Sequence, residues 1–247
     1  MYLGVLSKLK QEGRLNDLEE ISGSSAGGLA SFAYVLSKGN IPAILDYSLS
    51  IPVNSIMKPN IKSLLHNYGL VSTKKVRKVL TEICKKFTDK EDITFKELYQ
   101  FYPIKLYLPA YCVDFMKTVY FSVDTVPNMS VLDAVIATIA VPFLFAPVKL
   151  SDGYNYVDGA TAETFAAGPF VGKNEVLALR IGWGRLPEVK DLKSYALSML
   201  FSSMRMRHVY EVPAHEINIP DDDIYDFGAS NENKLKMFML GLSQNFS

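Results

Sequence analysis

The sequence predicts a layered α/β domain. Three observations carry that prediction. Strand-patterned and helix-patterned segments alternate along most of the chain. A short strand, a glycine-rich turn and an apolar helix follow one another between Leu18 and Leu36. Two neighbouring runs, Ile104–Val113 and Thr118–Val123, are rich in β-branched and aromatic residues, as strands are. At 247 residues, 49% of them apolar, the chain can enclose one sizeable core, and its length fits one domain.

Each element has its own signal. Leu3, Leu6 and Leu9 share one helical face within Met1–Lys10, and Gly13 offers a stop. Leu18–Ser22 reads as a short strand leading into Gly23-Ser24-Ser25-Ala26-Gly27-Gly28, after which Leu29–Leu36 continues as a buried helix ending near Gly39. Pro42 suits the first turn of a helix through Leu49, where a missing N–H does no harm. Ser72 can cap a helix carrying Val76, Val79, Leu80 and Ile83; Thr94 can cap a short helix before Pro103; Ser130 can cap one that ends before Pro142. Val148–Val157 predicts a hairpin turning at Asp152-Gly153. Val176–Ile181 reads as a short buried strand, Leu192–Val209 as a helix, His215–Ile219 as a last strand and Asn233–Leu242 as a final helix.

Charge and composition narrow the function classes. Lys plus Arg equals Asp plus Glu at 26 each, so no global field favours nucleic acid. The basic runs Lys74, Lys75, Arg77, Lys78 and Lys85, Lys86 read as solvated helix faces; the functional alternative is contact with anionic lipid headgroups. Cys84 and Cys112 lack metal-ligand spacing and make no disulfide framework, which points to a reducing compartment. Asp133, Pro142, Pro147 and Lys149 interrupt the longest apolar region, Val131–Leu150, so no transmembrane segment is expected, and Met1 opens on an amphipathic stretch rather than a secretory signal. The expected location is the cytoplasm.

Gly23-Ser24-Ser25-Ala26-Gly27 fits G-x-S-x-G. A serine on a sharp strand-to-helix turn projects its hydroxyl outward, small neighbours let a substrate carbonyl approach, and the helix that follows aims its free N–H groups at a developing oxyanion. Ser25 is the candidate nucleophile. A phosphate-binding loop is the competing reading, but Gly27-Gly28 lacks the Lys-Ser/Thr of a P-loop. A serine needs a base within reach. His66, His208 and His215 stand in no suggestive motif, whereas Tyr156-Val157-Asp158-Gly159-Ala160 places a carboxylate at a strand end with small residues behind it.

Ala137-Thr138-Ile139-Ala140-Val141-Pro142-Phe143-Leu144-Phe145-Ala146-Pro147, followed by Tyr156-Val157-Asp158-Gly159-Ala160, resembles the patatin-like phospholipase family, in which A-x-x-A-x-P-x-x-F-x-P precedes a Y-x-D-G-[GA] box. The serine turn and the helix at Leu3-Gly4-Val5-Leu6 fit the same pattern, and the resemblance runs from about Met1 to Val176. It implies a three-layer fold with a central mixed, mainly parallel sheet flanked by helices, and a single acyl hydrolase domain over residues 1–247. It implies a Ser25–Asp158 dyad without histidine, with Gly23, Ala26, Gly27 and Gly159 lining the substrate and no metal or cofactor. The implied partners are glycerolipid acyl esters, phospholipids first, met through transient contact at a membrane surface.

The family's glycine-rich segment, G-G-G-x-[KR]-G, would stand just before the helix at Met1–Lys10. The sequence opens after that point and no other stretch substitutes for it, so a shortened domain with a weakened oxyanion hole is expected. Two rivals follow. One is an α/β-hydrolase triad of Ser25, Asp158 and His208 or His215, which about 24 residues before the serine cannot support with enough strands. The other is an inactive lipid-binding or regulatory module. Met199, Leu200, Phe201, Met204 and Met206, and Met237, Phe238, Met239 and Leu240, are clusters that either pack the core or line an acyl channel.

Overall fold

The computed structural model describes residues 1–182, 189–190, 194–195, 198–199, 202, 214–218 and 230–246. Its helices are α1 (Tyr2–Gln11), α2 (Ala26–Leu36), α3 (Ile41–Ser50), α4 (Val53–Ile56), α5 (Ile61–Asn67), α6 (Thr73–Thr88), α7 (Phe95–Phe101), α8 (Val131–Thr138) and α9 (Asn231–Leu242). Its strands are β1 (Glu20–Ser22), β2 (Gly69–Val71), β3 (Lys105–Cys112), β4 (Lys117–Phe121), β5 (Phe143–Phe145), β6 (Val148–Lys149), β7 (Asn155–Asp158), β8 (Leu179–Gly182) and β9 (His215–Asn218). The architecture is the expected α/β one, a mixed sheet flanked by helices.

Side-chain caps start the helices where the sequence places them. Ser72 accepts from Lys74 N–H and Ser130 from Asp133 N–H, while Thr94 and Glu97 form a reciprocal capping box. Asn40 caps α3, with Pro42 in its first turn. The helix expected over Leu192–Val209 falls largely outside the described residues. The segment between Ile51 and Val71, which carries no element in the sequence reading, folds as α4, α5 and β2.

Pairing is less parallel than expected. The main sheet runs β1-β3-β7-β6 with β4 on β3; β1 joins β3 in parallel, but β4, β6 and β7 are added antiparallel. For the β3–β4 and β6–β7 pairs the reason is loop length. β3 and β4 are joined by a four-residue turn at 113–116, and β6 and β7 by one that contains Gly153 at φ 87°, and loops this short can only join antiparallel strands. Longer routes allow either direction: β1–β3, β2–β5 and β8–β9 are parallel and β3–β7 is antiparallel.

β3 is the spine of the core. Leu106, Leu108, Ala110 and Cys112 alternate along it and are all buried against a cluster that includes Phe32, Val35, Leu132 and Val135 of α2 and α8. A second cluster joins Val5 and Leu9 of α1 to Ile217 of β9 and Phe246. There α1 and α9 cross at backbone distance: a Cβ on Gly4 would lie 2.0 Å from the Phe238 carbonyl oxygen, and one on Gly241 would lie 2.2 Å from that of Met1. Phe238, from the second methionine cluster, packs on the main core, while Met239 is exposed. Cys84 and Cys112 are buried free thiols. No described helix is long and apolar enough to cross a membrane.

Candidate active site

Only Gly23, Ser24 and Ser25 separate the end of β1 from the start of α2. Gly23 N–H donates to the Tyr107 carbonyl at 3.3 Å, which carries the β1–β3 pairing into the turn. Ser25 then turns the chain with φ 53° and ψ −122°, a conformation that costs a non-glycine residue on the order of 1–3 kcal/mol. Its carbonyl accepts from Leu29 N–H at 3.0 Å, but its hydroxyl makes no cap bond to the helix and stays available. Ser25 is half-buried and Ala26 is exposed. As the first residue of α2, Ala26 has an N–H without an intrahelical acceptor, and it has no partner among the described residues.

The glycines differ in how tightly they are held. A Cβ on Gly23 would sit 2.3 Å from the Gly27 carbonyl carbon and 2.6 Å from the Gly28 nitrogen. On Gly28 it would sit 2.7 Å from the Gly23 carbonyl oxygen and 2.9 Å from the Thr138 methyl group. Gly27 has room, with the Tyr2 ring nearest at 3.8 Å. The close backbone approach therefore lies between Gly23 and Gly28.

Asp158 ends β7 opposite Ala110 of β3. Its N–H donates to the Ala140 carbonyl at 2.9 Å, and its Oδ1 accepts from Ala160 N–H at 2.8 Å, capping the 3₁₀ turn Gly159–Thr161. The residue is fully buried, and its Oδ2 has no hydrogen-bond partner among the described residues. Burial pushes its pKa up to about 7, against smaller opposing effects from the Ser25 hydroxyl and the Ala160 N–H. The Ser25 hydroxyl is thus near enough to favour the anion without closing a hydrogen bond of normal length to Oδ2.

β3 brings the two motifs together. It pairs with β1 at Tyr107↔Ser22 and with β7 at Ala110↔Asp158, three residues apart on one strand. Beyond it the turns touch: a Cβ on Gly159 would lie 2.5 Å from the Pro109 carbonyl oxygen and 3.0 Å from Ser24 Oγ. Ser24 Oγ is buried there without a partner among the described residues, whereas Ser25 is half-buried and its hydroxyl acts on the carboxylate.

Two further residues belong to the site. Thr138, fully buried at the end of α8, accepts the Ser25 N–H at 3.4 Å, and Ala140 holds Asp158 through its carbonyl. Both lie in the Ala137–Pro147 motif, which the sequence reading used for its pattern and gave no role at the serine. The histidines stand elsewhere: His66 is exposed on α5, His215 heads β9 and stacks edge-on against Phe246 at 5.8 Å, and His208 lies outside the described residues. Among the described residues no group of three His, Cys, Asp or Glu converges where a metal could be held.

Fold and site together define an α/β protein that presents a strained serine, its hydroxyl unspent, at a strand-to-helix turn beside a buried carboxylate. The sequence model of the patatin-like phospholipase family matches residues 1–171, and the chain belongs to that family. A protein of Invertebrate iridescent virus 6 described as probable lipid hydrolase 463L is 26% identical over 168 residues, which are 66% of this chain and 56% of that protein. The crystal structure of VipD from Legionella pneumophila superposes with a TM-score of 0.58 at 15% identity, over 98% of this chain and 64% of that one. The chain thus spans less than two thirds of either relative's length, and the likeness to VipD is one of fold.

Proposed function

We propose that the chain is a lipid acyl hydrolase in which Ser25 is the nucleophile and Asp158 its base. Ser25 Oγ adds to the ester carbonyl carbon while its proton passes to Asp158, directly or through a water. The tetrahedral oxyanion collapses, the alcohol leaves with the proton from Asp158, and an acyl-Ser25 ester remains. Water, deprotonated by Asp158, then adds to that ester and regenerates the serine and the free acid. The reaction is a hydrolysis throughout and consumes only water.

The carrying observation is the buried carboxylate facing the uncapped Ser25 hydroxyl, with a pKa of about 7. A carboxylate at its ordinary 3.8 is a poor base at neutral pH; one raised to 7 is matched to the task. Ala26 N–H is the oxyanion donor in this reading; Gly27 leaves open space beside Ser25, while Gly23 and Gly159 let the serine and aspartate turns close on neighbouring backbone. Removing one such donor typically lowers turnover by ~10²–10³. Family membership and the name of the viral relative support lipid esters as substrates. Hydrolysis of a phospholipid and of a short-chain ester by this chain and by Ser25→Ala tests the reading. Cleavage of either ester that Ser25→Ala abolishes supports it; equal rates in both chains overturn it.

A further inference from the structure

We propose that the face built from α5, the β2–β5 pair and the start of α6 seats on an anionic phospholipid surface; the proposal rests on the lipid-hydrolase reading and says where the membrane is met. Three large apolar side chains of this face are bare: Ile61 is 72% exposed, Leu65 73% and Tyr68 68%. A fourth, Phe143, is 63% exposed and stands opposite Gly69, the residue after Tyr68, in the β2–β5 ladder. Phe143 holds a φ of 66°, a conformation unfavourable for a bulky residue, and its ring is not buried in return. Grouped exposed apolar residues of this kind mark an interaction surface.

Charge selects the partner. The whole chain is neutral, yet residues 47–81 contain six Lys or Arg and no Asp or Glu. Arg77 is committed to Asp92 and Asp133, and Lys78 is 3.9 Å from Glu82. Lys58, Lys62 and Lys74 are exposed and have no acidic partner among the described residues, and Lys75 meets only a carbonyl, that of Ser55. Exposed apolar side chains with uncompensated lysines close by in the chain fit a bilayer of anionic headgroups, into which the apolar groups insert while the lysines meet phosphate. A second exposed apolar cluster, Phe115, Met116 and Tyr154, carries Asp114 and Asp152 beside Lys117, whose ammonium lies 5.6 Å from the Phe115 ring, so its charge is mixed rather than basic and attracts an anionic surface less.

The face also borders the serine. Thr138 holds Ser25 and Ala140 holds Asp158, and Phe143 lies only three residues beyond Ala140. At 3.8 Å per residue, the Phe143 Cα is within about 11 Å of that of Ala140. A membrane touching Phe143 therefore lies close to the segment whose backbone and hydroxyl hold Asp158 and Ser25.

Co-sedimentation with vesicles of phosphatidylcholine, with and without phosphatidylserine, tests this on the full chain carrying Ser25→Ala, so that binding is read without turnover. The chain binds the phosphatidylserine vesicles. Ile61→Ser with Leu65→Ser weakens that binding at least tenfold, and Lys58→Gln with Lys62→Gln by about 25-fold, at roughly fivefold per lysine near the surface. Phe115→Ser with Met116→Ser leaves it unchanged, and thermal melts of all variants coincide with the parent's. Absence of binding, or equal binding by the α5 variants, overturns the proposal. So does a concentration-dependent dimer abolished by Ile61→Ser with Leu65→Ser, which assigns the face to a second copy. Vesicle binding by a chain whose Ser25 parent cleaves no ester would overturn the hydrolase reading while leaving this surface in place.

Discussion

Asp158→Asn separates what the buried carboxylate does for catalysis from what it does to stability. A carboxyl whose native pKa lies above its ordinary value binds its proton more tightly in the folded chain. The folded state is therefore favoured below pH 3.8 and loses that advantage as pH climbs to 7. With 3.8 unfolded and about 7 folded, the loss is about 2 kcal/mol by pH 5 and about 4 kcal/mol by pH 8. Asparagine keeps Oδ1 as acceptor for the Ala160 N–H but cannot ionise. In urea unfolding followed by circular dichroism, Asp158→Asn is more stable than the parent by about 2 kcal/mol at pH 5 and about 4 kcal/mol at pH 8. Turnover falls about 10²–10⁴-fold in the same variant. A stability gap that does not widen with pH, or a variant less stable at pH 8, would refute the claim that Asp158 is held above its ordinary pKa by burial.

Other expectations follow from the same geometry. In the parent, kcat/KM for a soluble ester rises about tenfold per unit below pH 7 and levels above it, a profile read directly from initial rates. Gly159→Ala forces the Asp158 turn off Pro109 and Ser24 and lowers kcat at least 100-fold, whereas Gly27→Ala, whose new Cβ has only the Tyr2 ring at 3.8 Å, stays within about threefold. Thr138→Val removes the acceptor of the Ser25 N–H and lowers kcat about tenfold, while the urea midpoint shows a loss of about 1 kcal/mol.

Much of this was legible in the residues because it leaves a local mark. A cap needs a hydroxyl or carboxamide at one position, so Ser72, Thr94 and Ser130 announce their helices. The Asp152-Gly153 turn needs a positive φ, and glycine supplies it. The serine and aspartate turns need missing side chains, which is why Gly23 and Gly159 are visible in the sequence. What stayed hidden acts at long range or through the backbone. β2 and β5 are three residues each and pair across more than 70 positions, so neither shows a period of its own. Strand direction around β3 depends on the route of the chain rather than on side chains. Ala140 serves Asp158 through a carbonyl that any residue carries, and Thr138 serves Ser25 through one hydroxyl among many.

The central claim is that the hydroxyl of Ser25 and the carboxylate of Asp158 work as one unit. Fluorophosphonate labelling with mass-spectrometric mapping of the adduct addresses both halves at once. One phosphonyl group per chain on Ser25, with labelling slowed at least 100-fold in Asp158→Asn, is the predicted result; an adduct on Ser24 or elsewhere, or an unchanged rate in Asp158→Asn, would contradict it.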